Sequence, residues 1–474
     1  MLMEAHCAMT RCTLAFASVL LLAANQLQLF MPVSCAYAQS SDQGLTAVDS
    51  DFSTNYTQLT KKILLAGIAI ERYSLNYRLE TGKQPPFRKL RYFASQEAGA
   101  GAGLAFEVVG LKQFGLGRRH PLKISKRALK GATITAMVGS IVAGGGSCAE
   151  LGSNAWHAIQ LKRKGFDGKS ANKFVAGKLS EIDQLLGQRD SLVAANSSNP
   201  AYDRAVAEGK VLRCMRGAFI NEYDRFHSDT NTYRAIQNSF FLLNAGYNAI
   251  GATAAGLAYK AVDTPKLNGP ANILFIVSGA TAAATPFLCS ASGYVARKFA
   301  QHSVVKALGE KPHFDAAEFT ARRKELDALT SDASGSLISS LPGTQRLALY
   351  TESNSLFVKQ LESQERTMRS LRKVALGSVF LAPPIGGLLM TQGILGTHGY
   401  YDFTFQPRKQ IDQYYRGAIV GTVGTSMSVV GNAALLLASM SYEHHLKKKE
   451  SLPYQLIRKR LDHLAETELL VSKL

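Results

Sequence analysis

The chain has 474 residues, 46% of them apolar, and its 54 lysines and arginines against 35 acidic residues give a net charge of +19. That length alone allows two or three soluble domains, yet the apolar residues gather in Gly/Ala-rich runs of about twenty, the length that crosses about 30 Å of hydrocarbon. One membrane-embedded unit fits better, and beside membrane spans such a basic excess points to anionic lipid headgroups and away from nucleic acid, the other common partner of a basic protein.

In chain order, the first element reads as a secretory signal over residues 1–38. Arg11 supplies the positive region, Thr13 to Leu22 the apolar stretch, and Ala36-Tyr37-Ala38 a small-x-small cleavage site. Cys7, Cys12 and Cys35 leave with it, so Cys148, Cys214 and Cys289 remain. An odd number without a C-x-x-C argues against a disulfide framework and against a thiolate metal site.

From there a single pattern is written three times, over residues 39–195, 196–335 and 336–474. Each copy carries a helix-like lead-in, a basic or polar entry and two apolar runs, then a further basic patch and an amphipathic helix. The lead-ins are Lys62 to Arg78, Val211 to Phe226 and Ser355 to Arg366. The first runs cover about 93–117, 239–259 and 374–395, and the second about 131–156, 271–295 and 417–442. Gly131, Gly269 and Gly417, each opening a second run, lie roughly 140 residues apart, a period that reports a repeated supersecondary unit. After each second run come Lys162-Arg163-Lys164, Arg297-Lys298 and Lys447-Lys448-Lys449. The amphipathic helices then follow from Phe174, Phe319 and Tyr454, with apolar residues three and four apart. Turn clusters at Ser197-Ser198-Asn199-Pro200 and at Ser334 to Gly343 separate the copies. Strand-like alternation is weak, and Tyr401 to Phe405 reads as a loop.

The fold class predicted is all-α: a polytopic membrane protein with six transmembrane helices as three repeated hairpins, pseudo-threefold, with extramembrane helix pairs. The phasing leaves the first lead-in and the last amphipathic helix unpaired, so the two ends of the chain are predicted to pack together and close a ring. The many glycines of the runs suit close helix approach in lipid, whereas a soluble bundle would lose about 1 kcal/mol at each relative to alanine. The first hairpin loop, with Arg118, Arg119, Lys123, Lys126, Arg127 and Lys130 and no acid, is predicted on the cytoplasmic side. The extramembrane helices are then outside, in a cell-envelope membrane. Three hairpins of this kind are similar in architecture to the mitochondrial carriers, but their Pro-x-acidic-x-x-basic signature is absent and no family is assigned.

Chemistry-bearing motifs are few. Gly165 to Ser170 ends like a phosphate-binding loop, but Arg163 stands where the first glycine belongs. His444 and His445 are adjacent, so on a helix they point about 100° apart and cannot easily share a metal. No nucleophile elbow is present, no cofactor is implied, and the chain reads as non-enzymatic. Intramembrane polar residues are the remaining candidates, because an ionisable group at that depth costs several kcal/mol unless paired, protonated or wet: Glu107, Glu150, Asn244 and Asn248, with Glu97 and Gln392 near them in sequence pattern. Arg118, Arg119, Lys123, Lys126, Arg127, Lys447, Lys448 and Lys449 are candidate contacts for anionic lipid. The functional expectation is a scaffold whose extramembrane helices dock a protein partner. The alternative is a transporter or channel with a proton or cation path along the pseudo-threefold axis near Glu107.

Overall fold

A computed structural model of the chain describes residues 47–83, 87–331, 363, 381–450 and 452–473. The signal at 1–38, the turn cluster from Ser334 to Gly343, the Ser355 to Arg366 lead-in apart from position 363, and the start of the run at 374 lie outside the described residues. Every regular element described is helical: α1 (Ala47–Gly82), α2 (Arg88–Arg119), α3 (Lys126–Arg163), α4 (Gly168–Ala195), α5 (Tyr202–Ala261), α6 (Asn268–Leu308), α7 (Ala316–Ser331), α8 (381–402), α9 (Pro407–Lys448) and α10 (Pro453–Ser472).

Local sequence sets the ends of these helices. Each of three tight connections places a proline at the start of its next turn, Pro121 and Pro265 opening single 3-10 turns and Pro407 opening α9, where the missing N–H costs nothing. Ser125 caps α3 by accepting from the Ala128 N–H at 3.2 Å. Gly309, at φ 74°, closes α6 in the left-handed conformation that a side chain would resist.

Six helices form a closed ring. Gly99 of α2 lies against Gly139 and Ala143 of α3, and Gly144 of α3 against Asn248 of α5. On α5, Ile236 meets Gly293 of α6, and Gly279 of α6 meets Gly386 and Met390 of α8. Leu388 of α8 packs on Gly424 of α9, and Gly421 of α9 on Glu107 of α2, which returns to the start. The remaining helices form a cap at one end of the ring. Its core joins Ile63, Ile70 and Leu75 of α1, Val175 and Ile182 of α4, Val211 and Phe226 of α5, Val304 of α6, Phe319 of α7, and Ile457 and Leu464 of α10. The first and last described helices meet here: α1 packs on α10, with Arg72 paired to Glu468 and Lys61 Nζ donating to the Ser472 carbonyl at 2.5 Å.

The lead-in Val211 to Phe226 and the run 239–259 are parts of one uninterrupted helix, the 60-residue α5, about 90 Å long. Its polar stretch from Asp224 to Arg234 contains no glycine or proline, and polarity by itself does not end a helix.

Three helical stretches, Lys126–Ala195, Pro265–Leu308 and Pro407–Ser472, are long and apolar enough by length and composition to cross a membrane. They contain the three second runs of the sequence pattern.

Candidate functional site

The polar residues singled out in the apolar runs fall into two groups on the ring. The first lies where α2, α3 and α5 meet, near the cap. Glu150 of α3 is buried between two arginines of the α2 entry: Arg88 Nε lies 2.6 Å from its Oε2, and Arg91 Nε donates to its Oε1 at 3.0 Å. Arg88 also donates to Asn154 Oδ1 at 2.8 Å, and Asn154 Nδ2 to Asn238 Oδ1 of α5 at 2.7 Å. Beneath this layer Asn244 Nδ2 donates to Tyr92 Oη and, at 3.1 Å, to Gln96 Oε1. Gln96 Nε2 donates to the Ala143 carbonyl at 3.0 Å, and Asn248 Nδ2 to Asn244 Oδ1 at 2.7 Å. The upper layer thus ties Glu150 of α3 to α2 and α5, the lower layer ties Asn244 of α5 to α2 and, through Gln96, to α3, and Asn248 braces Asn244 from within α5.

Glu107 belongs to neither layer. It sits three turns farther along α2, about 16 Å from Gln96, only 4% exposed, with Gln392 Nε2 of α8 donating to its Oε1 at 2.6 Å. A Cβ added at Gly421 would lie 2.5 Å from its carboxyl carbon, so the bare α9 backbone forms the floor under the carboxyl. Glu107 and Gln392, noted separately in the first and third sequence copies, are partners. Glu97 faces Asn432 of α9.

The basic residues of the tight connections are solvent-facing. Arg119, Lys123, Lys126 and Arg127 are exposed, while Arg118 is pinned, its Nε 2.9 Å from Asp412 Oδ1 and its guanidinium 4.8 Å over the Tyr415 ring. Lys130 pairs with Asp263. At the far end of α9, Lys447, Lys448 and Lys449 are exposed as well. His444 and His445 occupy the same last turns, and among the described residues no group of three or more His, Cys, Asp or Glu is placed to hold a metal ion.

Sequence reasoning missed the buried charges of the cap. Arg189 of α4 has 0% exposure. Its Nη2 donates to Tyr56 Oη at 2.7 Å, to the Ala205 carbonyl at 2.9 Å and to Glu208 Oε2 at 3.1 Å, and its guanidinium lies 4.6 Å over the Tyr56 ring. A second cluster joins Arg460 of α10 to Glu71 of α1 and Glu222 of α5. His227, stacked between Tyr77 and Tyr223, is pushed down to about 4 by burial first and by the field of Arg234 second, so it is neutral at pH 7. The missed signal is positional. Arg189 follows Ile182 and Leu186 and precedes Val193 on the buried stripe of α4, and Arg460 lies between Ile457 and Leu464 on that of α10.

No family model matches the chain, and no curated protein is significantly similar to it.

Proposed function

We propose that the protein is an integral membrane protein in which the six-helix ring crosses the bilayer as three hairpins and carries the cap as a rigid platform for a protein partner. One observation supports this above all: burial is inverted between the two halves. In the cap the buried apolar core is built mainly of Ile, Leu, Val, Phe and Tyr, with a few paired charges among them. In the ring, α3 buries Ala132, Thr133, Ala136, Gly139, Ala143, Gly144 and Ser147 and turns Ile134, Val138, Ile141 and Val142 outward. Likewise α9 buries Gly417, Ala418, Gly421, Gly424 and Thr425, and it exposes Ile419, Val423, Val430 and Leu437. A contiguous outward apolar belt is stable only against a nonaqueous phase or a partner, and small residues inside are how helices associate in lipid.

Aromatic side chains support the same reading. Tyr233 and Tyr259 stand 26 residues apart on α5 and Tyr415 and Tyr442 are 27 apart on α9, about 39 and 40 Å. That separation matches a bilayer with its headgroup regions, where tyrosine and tryptophan anchor. The helices α2 and α5 are more polar than their hairpin partners α3 and α6 and are carried across by the ring. The tight connections, with Arg119, Lys123, Lys126 and Arg127 in contact with anionic headgroups, face the cytoplasm in this reading. The platform lies outside, and the three hairpins are copies of one unit.

The transport reading places a proton or cation path at Glu107. Its carboxyl, closed in by Gln392 and the backbone at Gly421, is better explained as a hydrogen-bonded brace between α2, α8 and α9. The platform reading is tested by topology and transport together. Reporter fusions at Asn196 and Leu474 should agree with one another and differ from one at Lys123, and the protein should stay in the pellet through alkaline carbonate extraction. Release by carbonate, or a Lys123 fusion that matches the others, would return the ring to water. Glu107→Gln should leave platform topology and any ion flux through proteoliposomes unchanged; loss of a wild-type flux in that variant would favour the transporter.

A further inference from the structure

Helices from the beginning, middle and end of the chain meet at Glu71 of α1, Glu222 of α5 and Arg460 of α10. Arg460 Nε donates to Glu71 Oε1 at 2.7 Å, and Nη2 donates to the same oxygen. Glu222 receives what is left, with Nη1 3.1 Å from its Oε1 and Nη2 3.2 Å from its Oε2. The three residues are 6%, 2% and 4% exposed. Two carboxylates share the Arg460 guanidinium in a site closed to water, with Arg78 a further cation acting on Glu222, and ionising both is costly because each charge is desolvated and the two repel.

We propose that this triad is a proton-operated clasp: while Glu222 holds a proton, α1, α5 and α10 are locked together, and release of that proton to water loosens the junction between α1 and α10. The geometry selects Glu222 over Glu71, since Glu71 takes the shorter hydrogen bonds of the guanidinium. The charged groups acting on Glu222 are Arg460 of α10 and, from α1, Glu71 and Arg78, the last stacked 4.5 Å over Phe226. Burial is the largest effect and raises the Glu222 carboxyl; Arg460 opposes it, Glu71 adds to it, Arg78 opposes it, and the result is a value of about 8. The folded protein thus keeps a proton that the unfolded chain releases in the ordinary glutamate range. Stability from this group is fully present below that range and is lost as pH rises through about 8.

The test uses the full-length protein in lipid nanodiscs, with spin labels at Lys62→Cys and Ala465→Cys, exposed positions on α1 and α10, after its native cysteines are replaced by serine. Pulsed electron resonance should show one short separation at pH 6 and, at pH 9, a longer population grown several-fold. Glu222→Gln, which keeps the shape and cannot ionise, should hold the short separation at both pH values. Glu71→Gln, which frees the guanidinium for Glu222 alone, should also be flat over this range, and it decides the matter if Glu222→Gln does not fold. A wild-type distribution unchanged at pH 9, or a Gln variant that shifts as far as wild type, overturns the clasp.

Discussion

Arg189 shows what a single buried charge does in this cap. Its guanidinium donates to Tyr56, Glu208 and the Ala205 carbonyl at once, and Nε reaches Thr60 Oγ1 at 3.3 Å, so removing it takes a buried cation away from the Glu208 carboxylate. Breaking a buried pair from one side costs about 3–5 kcal/mol, whereas replacing both partners can be close to neutral. Arg189→Met should therefore lower the unfolding midpoint in detergent sharply, and Arg189→Met with Glu208→Gln should recover much of the loss. If the double variant is as unstable as the single, the loss of charge compensation at Glu208 is not the cause. In the sequence this arginine is indistinguishable from a solvated charge by type. Only its place four residues before Val193 and three after Leu186 marks it as buried, and such a position is ambiguous because long cationic side chains often lie along an apolar stripe with their heads in water.

At the scale of elements, the sequence located the helices better than their ends. The three tight connections were legible as the gaps between paired apolar runs, and the structure places Pro121, Pro265 and Pro407 in them, while the unity of α5 was not legible, because its polar middle mimics a connection. At the crossing of α6 and α8 backbone lies directly against backbone. A Cβ at Gly279 would stand 2.6 Å from the Met390 nitrogen and 2.8 Å from the Gly386 carbonyl oxygen, and one at Gly386 2.5 Å from the Ala283 nitrogen. Both sides are backbone, so neither can yield without moving a helix. Gly279→Ala should destabilise the protein by about 1–3 kcal/mol, the usual cost of overpacking. Gly387→Ala, with nothing within 4 Å of its Cβ, should be neutral or stabilising by up to about 1 kcal/mol. Equal effects of the two in a thermal unfolding series would mean that helix propensity, and not close approach, sets the glycine content here.

The first and last described helices, α1 and α10, meet in the cap. The phasing of the sequence pattern, with a lead-in helix unpaired at the front and an amphipathic helix unpaired at the back, is what made the contact of α1 with α10 foreseeable. The polar layers of Glu150, Asn244 and Asn248 and their separation from Glu107 were not, because they depend on how three helices are rotated against each other. Closure draws on Ile457, Leu464 and Val471 of α10 in the cap core, and burying each is worth about 1.5–3 kcal/mol. Their sum, roughly 5–9 kcal/mol, is comparable to the 5–15 kcal/mol that holds an ordinary domain folded. Deleting residues 453–474 should therefore do more than trim a tail. It removes the partner of Glu71 and Arg72 and uncovers α1 along its face toward α10, and limited proteolysis in nanodiscs followed by mass spectrometry should find new cuts in α1 between Lys61 and Arg78. The α9 to α2 contact in the ring does not use α10, so cross-links between those helices should persist in the truncated protein. An α1 that stays as resistant as in the full chain would show that α4 and α5 alone secure it, and that the closing contact contributes little to the stability of the cap.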